Sequence, residues 1–151
     1  MIRELDQHKI PYKTKEYEVD ESDLSAIHVA LVTNTDLERI FKTLSLLNEK
    51  NELIIACIPG GDNIDLKKLA KTAGCKRVEM LPLKELTKYT GYVRGGCSPV
   101  GIRKKHESFI HESAFKFDSI LISGGMRGLQ IEINPKDLAD YLKMKSGDIV
   151  V

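Results

Sequence analysis

The residues best suited to chemistry lie in one short stretch, Gly95-Gly96-Cys97-Ser98-Pro99. Four residues with backbone N–H groups precede a proline, which has none and fixes the direction in which the chain leaves. Such a run can form a concave set of donors for an anion or a carbonyl oxygen. It can equally be a plain irregular turn, and spacing alone leaves both open. Cys97 and Ser98 could each be drawn as a nucleophile, but covalent catalysis needs a base oriented beside it. Gly96-Cys97-Ser98-Pro99-Val100 is not a Gly-x-Ser-x-Gly elbow. We expect Cys97 to be a small, soft residue in a packed loop.

Lys42 is the second informative residue. It stands in Ile40-Phe41-Lys42-Thr43-Leu44, among apolar and β-branched neighbours. On an alternating strand it shares a face with Leu44, while Phe41 and Thr43 share the other. A lysine on a core-facing side must be paired, neutralised or lining a cavity. The blander alternative is an edge-strand lysine whose ammonium reaches water.

Other chemistries are disfavoured. His106 and His111 are five apart. On a helix five residues turn roughly 500°, so the imidazoles diverge by roughly 140°. On a strand they face opposite ways. His8 and His28 fall elsewhere, and we expect no metal site. No Gly-x-x-x-x-Gly-Lys-Ser/Thr loop is present. Gly124-Gly125-Met126-Arg127-Gly128 lacks the dinucleotide pattern and reads as a tight turn between strands.

These residues need elements to hold them. Tyr12 to Val19 alternates like a strand, and Ala26 to Val32 looks helical. Arg39 to Leu46 reads as a strand, turning at Asn48-Glu49-Lys50-Asn51 into the apolar run Leu53 to Ile58, which suits a central strand covered on both faces. A helix is expected over Asp65 to Ala73, a strand over Arg77 to Leu81 and a helix over Leu83 to Tyr89. After the glycine loop come a strand at Phe109 to Glu112, a helical turn at Ser113 to Phe117, and strands at Ser119 to Ile122 and Leu129 to Ile133. Pro135 opens a last helix. Hairpins mixed with helical crossovers give a mixed α/β (α+β) domain with about six strands.

Length and charge bound the rest. With 151 residues and no linker or repeat, the chain reads as one domain over 1–151. Lys and Arg number 23 and Asp and Glu 22, for a net charge of +1, so bulk charge alone cannot grip nucleic acid, although a local basic patch can. The longest apolar run has six residues against the ~20 of a membrane-spanning helix. Acidic residues interrupt the N-terminus where a signal peptide needs an apolar region. Three cysteines at uneven spacing suit reduced thiols. The expectation is a cytoplasmic protein with no membrane partner.

Three motifs occur in order: Phe41-Lys42-Thr43-Leu44, Gly91-Tyr92-Val93-Arg94-Gly95-Gly96-Cys97-Ser98-Pro99-Val100-Gly101 with Lys104-Lys105, and Ser123-Gly124-Gly125-Met126-Arg127-Gly128-Leu129. Together they resemble the YbaK/EbsC family, free-standing relatives of the editing domain of bacterial prolyl-tRNA synthetase. The likeness runs from Tyr17 to about Leu142, and the Cys-Ser-Pro ending places it nearer the cysteinyl-specific branch than the alanyl-specific one. The resemblance implies a mixed, partly barrel-like sheet of six to seven strands with helices around it. It implies hydrolysis of cysteine from proline tRNA, with cysteine on its own tRNA as a second substrate, without metal, cofactor or covalent enzyme intermediate. The substrate's own thiol would attack its carbonyl.

Carried over by position, Lys42 with Gly95 and Gly96 would be catalytic. Tyr17, Thr43, Cys97, Ser98, Pro99, Ser123 and Gln130 would contact the substrate. Arg94, Arg103, Lys104 and Lys105 form the best basic cluster for the tRNA acceptor end, and a prolyl-tRNA synthetase in a ternary complex would supply the affinity that low net charge does not. Two departures stand out. Ser25-Ala26 occupies a segment where some relatives have an aromatic residue, and Gln130 stands where some have aspartate. Two rival readings remain beside this one: a deacylase for alanine or another small amino acid, and a non-catalytic module binding aminoacyl-tRNA or a nucleotide. A thiol hydrolase using Cys97 is a weaker third.

Overall fold

The apolar run expected at the centre is there: every residue of Leu53–Pro59 is buried. The computed structural model describes residues 1–151. Its strands are β1 (Tyr12–Glu16), β2 (Phe41–Asn48), β3 (Leu53–Pro59), β4 (Val78–Met80), β5 (His106–His111), β6 (Ile120–Ser123), β7 (Leu129–Ile133) and β8 (Lys145–Gly147). Its helices are α1 (Ile2–Gln7), α2 (Ala26–Thr33), α3 (Leu66–Ala73), α4 (Leu86–Thr90) and α5 (Pro135–Leu142).

Five strands form one sheet in the order β4-β2-β3-β5-β8, and three form a second in the order β1-β7-β6. β2 and β3 pair antiparallel through a turn that Asn48 organises, its side-chain oxygen accepting the N–H of Lys50 at 2.9 Å and of Glu52 at 3.0 Å. β5 then runs parallel to β3, a pairing that needs a long crossover. The sheets meet at a parallel bridge between Ile40 and Leu121. The resemblance implies a partly barrel-like sheet of six to seven strands, and eight strands are present, in two ladders joined at that bridge. The strand without a counterpart in the sequence reading is β8, whose polar sequence Lys-Ser-Gly carries no apolar alternation by which it could be recognised.

Alternation divides both sheets into the same two faces. Ile40, Lys42, Leu44 and Leu46 leave β2 on one side, and Phe41, Thr43 and Ser45 on the other. Directly paired residues share a face, so the register carries the division across. Lys15 lies opposite Gln130, and Gln130 opposite Ser123. Leu121, two residues before Ser123, shares its side and packs with Ile40, Val29 and Tyr17. The first face therefore bears Lys15, Tyr17, Ile40, Lys42, Leu121, Ser123 and Gln130. Over it, α2 covers Ile40, while α3 brings Leu69 and Ala70 onto Leu46, Ile54 and Ile58. The second face holds Phe41, Cys57, Ile120, Ile122, Ile131 and Ile133, sealed by Leu5 of α1 and Leu138 of α5.

Local chemistry seats these helices. Ser25 caps α2, accepting the His28 N–H at 3.3 Å, and Asn34 ends it in the left-handed region. Gly60 lets α2 settle on the end of β3, because a Cβ there would lie 2.2 Å from the Ala26 Cβ. Asn134 caps α5, with Pro135 at its first position as the sequence suggests. No helix is long and apolar enough to cross a membrane.

Candidate functional site

The glycine-rich stretch between α4 and β5 is an Ω-shaped loop. Its neck is closed by the N–H of Arg103 on Thr90 O and of Lys104 on Tyr89 O, both 3.1 Å. Inside it, Thr87 Oγ1 donates to Tyr92 O at 2.9 Å, and the Tyr92 hydroxyl donates to the Val100 carbonyl. Burial raises the Tyr92 pKa to about 12, which keeps that hydroxyl a donor. Ser98 is fully buried and its Oγ accepts the Val100 N–H at 3.2 Å. The donor run is not continuous: the Gly96 N–H is used on Val93 O at 3.0 Å. The N–H groups of Gly95, Cys97 and Ser98 have no partner within the protein and remain as candidate donors.

Both positions favour glycine, the first by its backbone conformation and the second by close approach of another backbone. Gly95 has φ +86°, and a Cβ on it would lie 3.2 Å from the Arg127 side chain. A Cβ on Gly96 would lie 3.1 Å from the Met126 Cα. The Ω loop thus rests against the turn that follows Ser123, and Leu24 borders Gly95 as well.

Beside this junction, on the first face, lie four of the expected residues. Gln130 is only 6 % exposed and its amide makes no hydrogen bond. Ser123 Oγ accepts the Gly125 N–H at 3.2 Å, shaping the turn. Tyr17 donates its N–H to Gly128 O at 2.9 Å, and its ring packs with Val29, Ile40 and Leu121. Lys42 forms no ion pair; burial lowers its pKa, and the charge of Asp62 opposes that only in part. Glu132, on the same face, is already held by Arg39 at 3.2 Å and Lys15 at 3.8 Å.

Thr43 and Cys97, expected at the substrate, lie on the opposite face. Thr43 Oγ1 is 3.7 Å from the Cys57 sulfur. Burial raises the Cys97 pKa to about 11, against the opposing effect of the Ser45 and Thr90 hydroxyls beside it. Burial likewise raises Cys57 to about 12. Such thiols stay protonated near neutrality, and a protonated thiol is a poor nucleophile. Pro99 is buried and turns the chain inward.

The basic residues do not form one cluster. Arg94 is exposed at the loop, where its carbonyl accepts Arg127 Nε at 2.8 Å. The Arg103 guanidinium lies against Gly91 near the neck. The Lys104 ammonium sits 4.5 Å over the Tyr89 ring, and Lys104 and Lys105 line a cleft of about 570 Å³ beside the β2–β3 turn, away from Lys42. Arg127 was not singled out in the sequence; only its place inside the glycine motif hinted at it. His106 and His111 fall on opposite faces of β5, bound to the Lys104 carbonyl and the Ile149 N–H respectively.

A family model described as an aminoacyl-tRNA editing domain matches residues 23–141. A protein of Enterococcus faecalis, provisionally named Cys-tRNA(Pro)/Cys-tRNA(Cys) deacylase EbsC, is 47% identical over 135 residues, covering 89% of this chain and 82% of that protein. A proline–tRNA ligase of Brachyspira hyodysenteriae is 25% identical over 76% of this chain and only 21% of its own length. A crystal structure provisionally described as a trans-editing enzyme for prolyl-tRNA synthetase has the same fold, with a TM-score of 0.81 at 21% identity, covering 93% of this chain and 87% of that one.

Proposed function

The chain belongs to the aminoacyl-tRNA editing domain family, and from that premise we propose that it is a trans-editing deacylase that removes cysteine from mischarged Cys-tRNA(Pro), and from Cys-tRNA(Cys). The name of the 47%-identical Enterococcus protein supports this substrate. The observation that carries the reading is the convergence of a half-buried, unpaired Lys42 with Tyr17, Ser123 and Gln130 on the face bordered by the donor-bearing Ω loop.

An aminoacyl ester is already activated, so positioning and oxyanion stabilisation suffice. The free N–H groups of Gly95, Cys97 and Ser98 receive the carbonyl oxygen as charge builds on it. The substrate's sulfur bonds to the carbonyl carbon, the carbon–oxygen ester bond breaks, and the thiol proton ends on the ribose oxygen. Water then opens the thiolactone to free cysteine. Lys42, a better acid than a free lysine, supports the leaving oxygen. Gln130 presents a neutral amide to the amino-acid end, where a carboxylate would answer the α-ammonium more strongly. Cys97 contributes its backbone N–H, and its side chain packs. Arg94 and Arg103 meet phosphates near the site, while Lys104 and Lys105 meet them farther along. A prolyl-tRNA synthetase in a ternary complex adds the tRNA affinity that a net charge of +1 does not provide.

Purified protein incubated with cysteinyl-, alanyl- and seryl-tRNA tests this by loss of the ester. Cysteine release is expected to be fastest. Release of alanine or serine alone assigns a different small residue, and no release from any of them removes the enzymatic reading.

A further inference from the structure

One side chain pins three segments around the site. Arg127 Nε donates to Arg94 O at 2.8 Å, and its Nη1 pairs with Glu21 Oε2 at 2.7 Å. Its stem lies against Gly95, where Leu24 also packs. The Ω loop, the turn after Ser123 and the segment before α2 therefore meet at one guanidinium. Its charge partner is weakly held: the Glu21 side chain is 73 % exposed and that of Arg127 32 %.

We propose that Arg127 is the receptor for the phosphodiester entering the terminal adenosine of the tRNA, and that Glu21 holds its place in the free protein. This rests on the reading above, that the acylated 3′ end enters at the Ω loop. The 5′-phosphate of a terminal nucleoside lies one sugar away from its acylated hydroxyl. A cation bordering the loop stands where that phosphate arrives. A guanidinium N–H binds a carboxylate or a phosphate oxygen alike, so the Nη1 that holds Glu21 can take a phosphate in its place. Displacing Glu21 also releases the segment carrying Leu24 from the loop, so phosphate binding and opening of that edge are a single exchange.

The test uses an uncharged RNA hairpin ending in the tRNA 3′ sequence, with binding followed by fluorescence anisotropy at several salt concentrations. Glu21→Gln is expected to bind it several-fold tighter. Arg127→Ala is expected to bind roughly tenfold weaker, with a salt slope shallower by about one ion. With cysteinyl-tRNA, Glu21→Gln should lower KM; with cysteinyl-adenosine lacking a 5′-phosphate, KM should stay at the wild-type value. If Glu21→Gln weakens binding as Arg127→Ala does, the pair is only a strut and the proposal fails. It fails too if Arg127→Ala keeps the wild-type salt slope, or if both substrates respond alike to Glu21→Gln. Binding is read without cleavage, so a protein that shows these shifts but releases no amino acid would overturn the deacylase reading and support this one.

Discussion

Lys42 and Thr43 are consecutive on β2, yet they belong to different chemical worlds. Lys42 shares its face with Tyr17, Ser123 and Gln130, polar groups brought together from β6, β7 and the segment after β1. Thr43 faces Cys57, within a layer sealed by isoleucines and by α1 and α5. Both faces hold groups that are reactive in principle. On the first, burial lowers the pKa of an amine and leaves it without an ion-pair partner. On the second, burial raises two thiols to about 11 and 12 and makes them inert. Desolvation acts in both places. What differs is the group: loss of solvent makes an amine a better acid and a thiol a poorer nucleophile. The difference teaches that the cysteine inside the most suggestive motif is held protonated, while the lysine in a plain strand is the functional candidate.

The sharpest way to break this comparison is to remove the amine. Lys42→Ala is expected to lower kcat/KM by ~10²–10³, the scale of losing one aimed charge or donor, with little change in Tm. A pH profile adds a sign. Because the folded pKa is depressed, turnover should fall on an alkaline limb beginning below the ~10.4 of a free lysine. Lys42→Arg should erase that limb. The same depression means that the unfolded chain holds the proton more tightly, so stability should rise as pH climbs through the folded pKa toward the unfolded one. A profile flat to the ordinary lysine range would place Lys42 outside the reaction.

A smaller effect is expected from Gln130→Leu, which removes an unpartnered amide from the first face. We expect KM for cysteinyl-tRNA to rise about tenfold, the cost of roughly one hydrogen bond, without loss of Tm. An unchanged KM would mean that the amide never meets substrate. On the sealed face, Ile122→Val should cost ~0.5–1.5 kcal/mol in denaturant unfolding and leave kcat and KM as they were. Altered kinetics there would show that the faces are coupled. Smallest of all, Cys97→Ala should keep activity within about threefold, because in the proposed mechanism the reacting sulfur is the substrate's. At pH 8 a thiol reagent should label Cys75, which is partly exposed, well before the buried Cys57. Rapid labelling of Cys57 would contradict its burial.

Much of this was legible in the chain itself. Leu53 to Ile58 announced a central strand, Asn48 to Asn51 its turn, and Leu129 to Ile133 matched β7 residue for residue. The alternation at Ile40 to Leu44 placed Lys42 and Thr43 on different faces, because strand geometry is a local property with a period of two. Elements stabilised mainly by tertiary contact were less legible. The helix expected at Leu83 to Tyr89 splits into a 3₁₀ turn, Leu83–Glu85, and α4. The strand from Tyr12 stops at Glu16, although Tyr17 still bonds to Gly128. The glycine loop read as a row of donors, but one of them is spent inside its own turn.

Sequence alone determined which residues could react and which strands could carry them, since side-chain type and backbone period are written locally. Tertiary structure alone decided which reactive groups share a face, which thiols are shut away, and that Arg127 ties together segments more than thirty residues apart. The reason is physical: burial, proximity and charge pairing depend on distances through space, which are set only when the two sheets meet at Ile40 and Leu121.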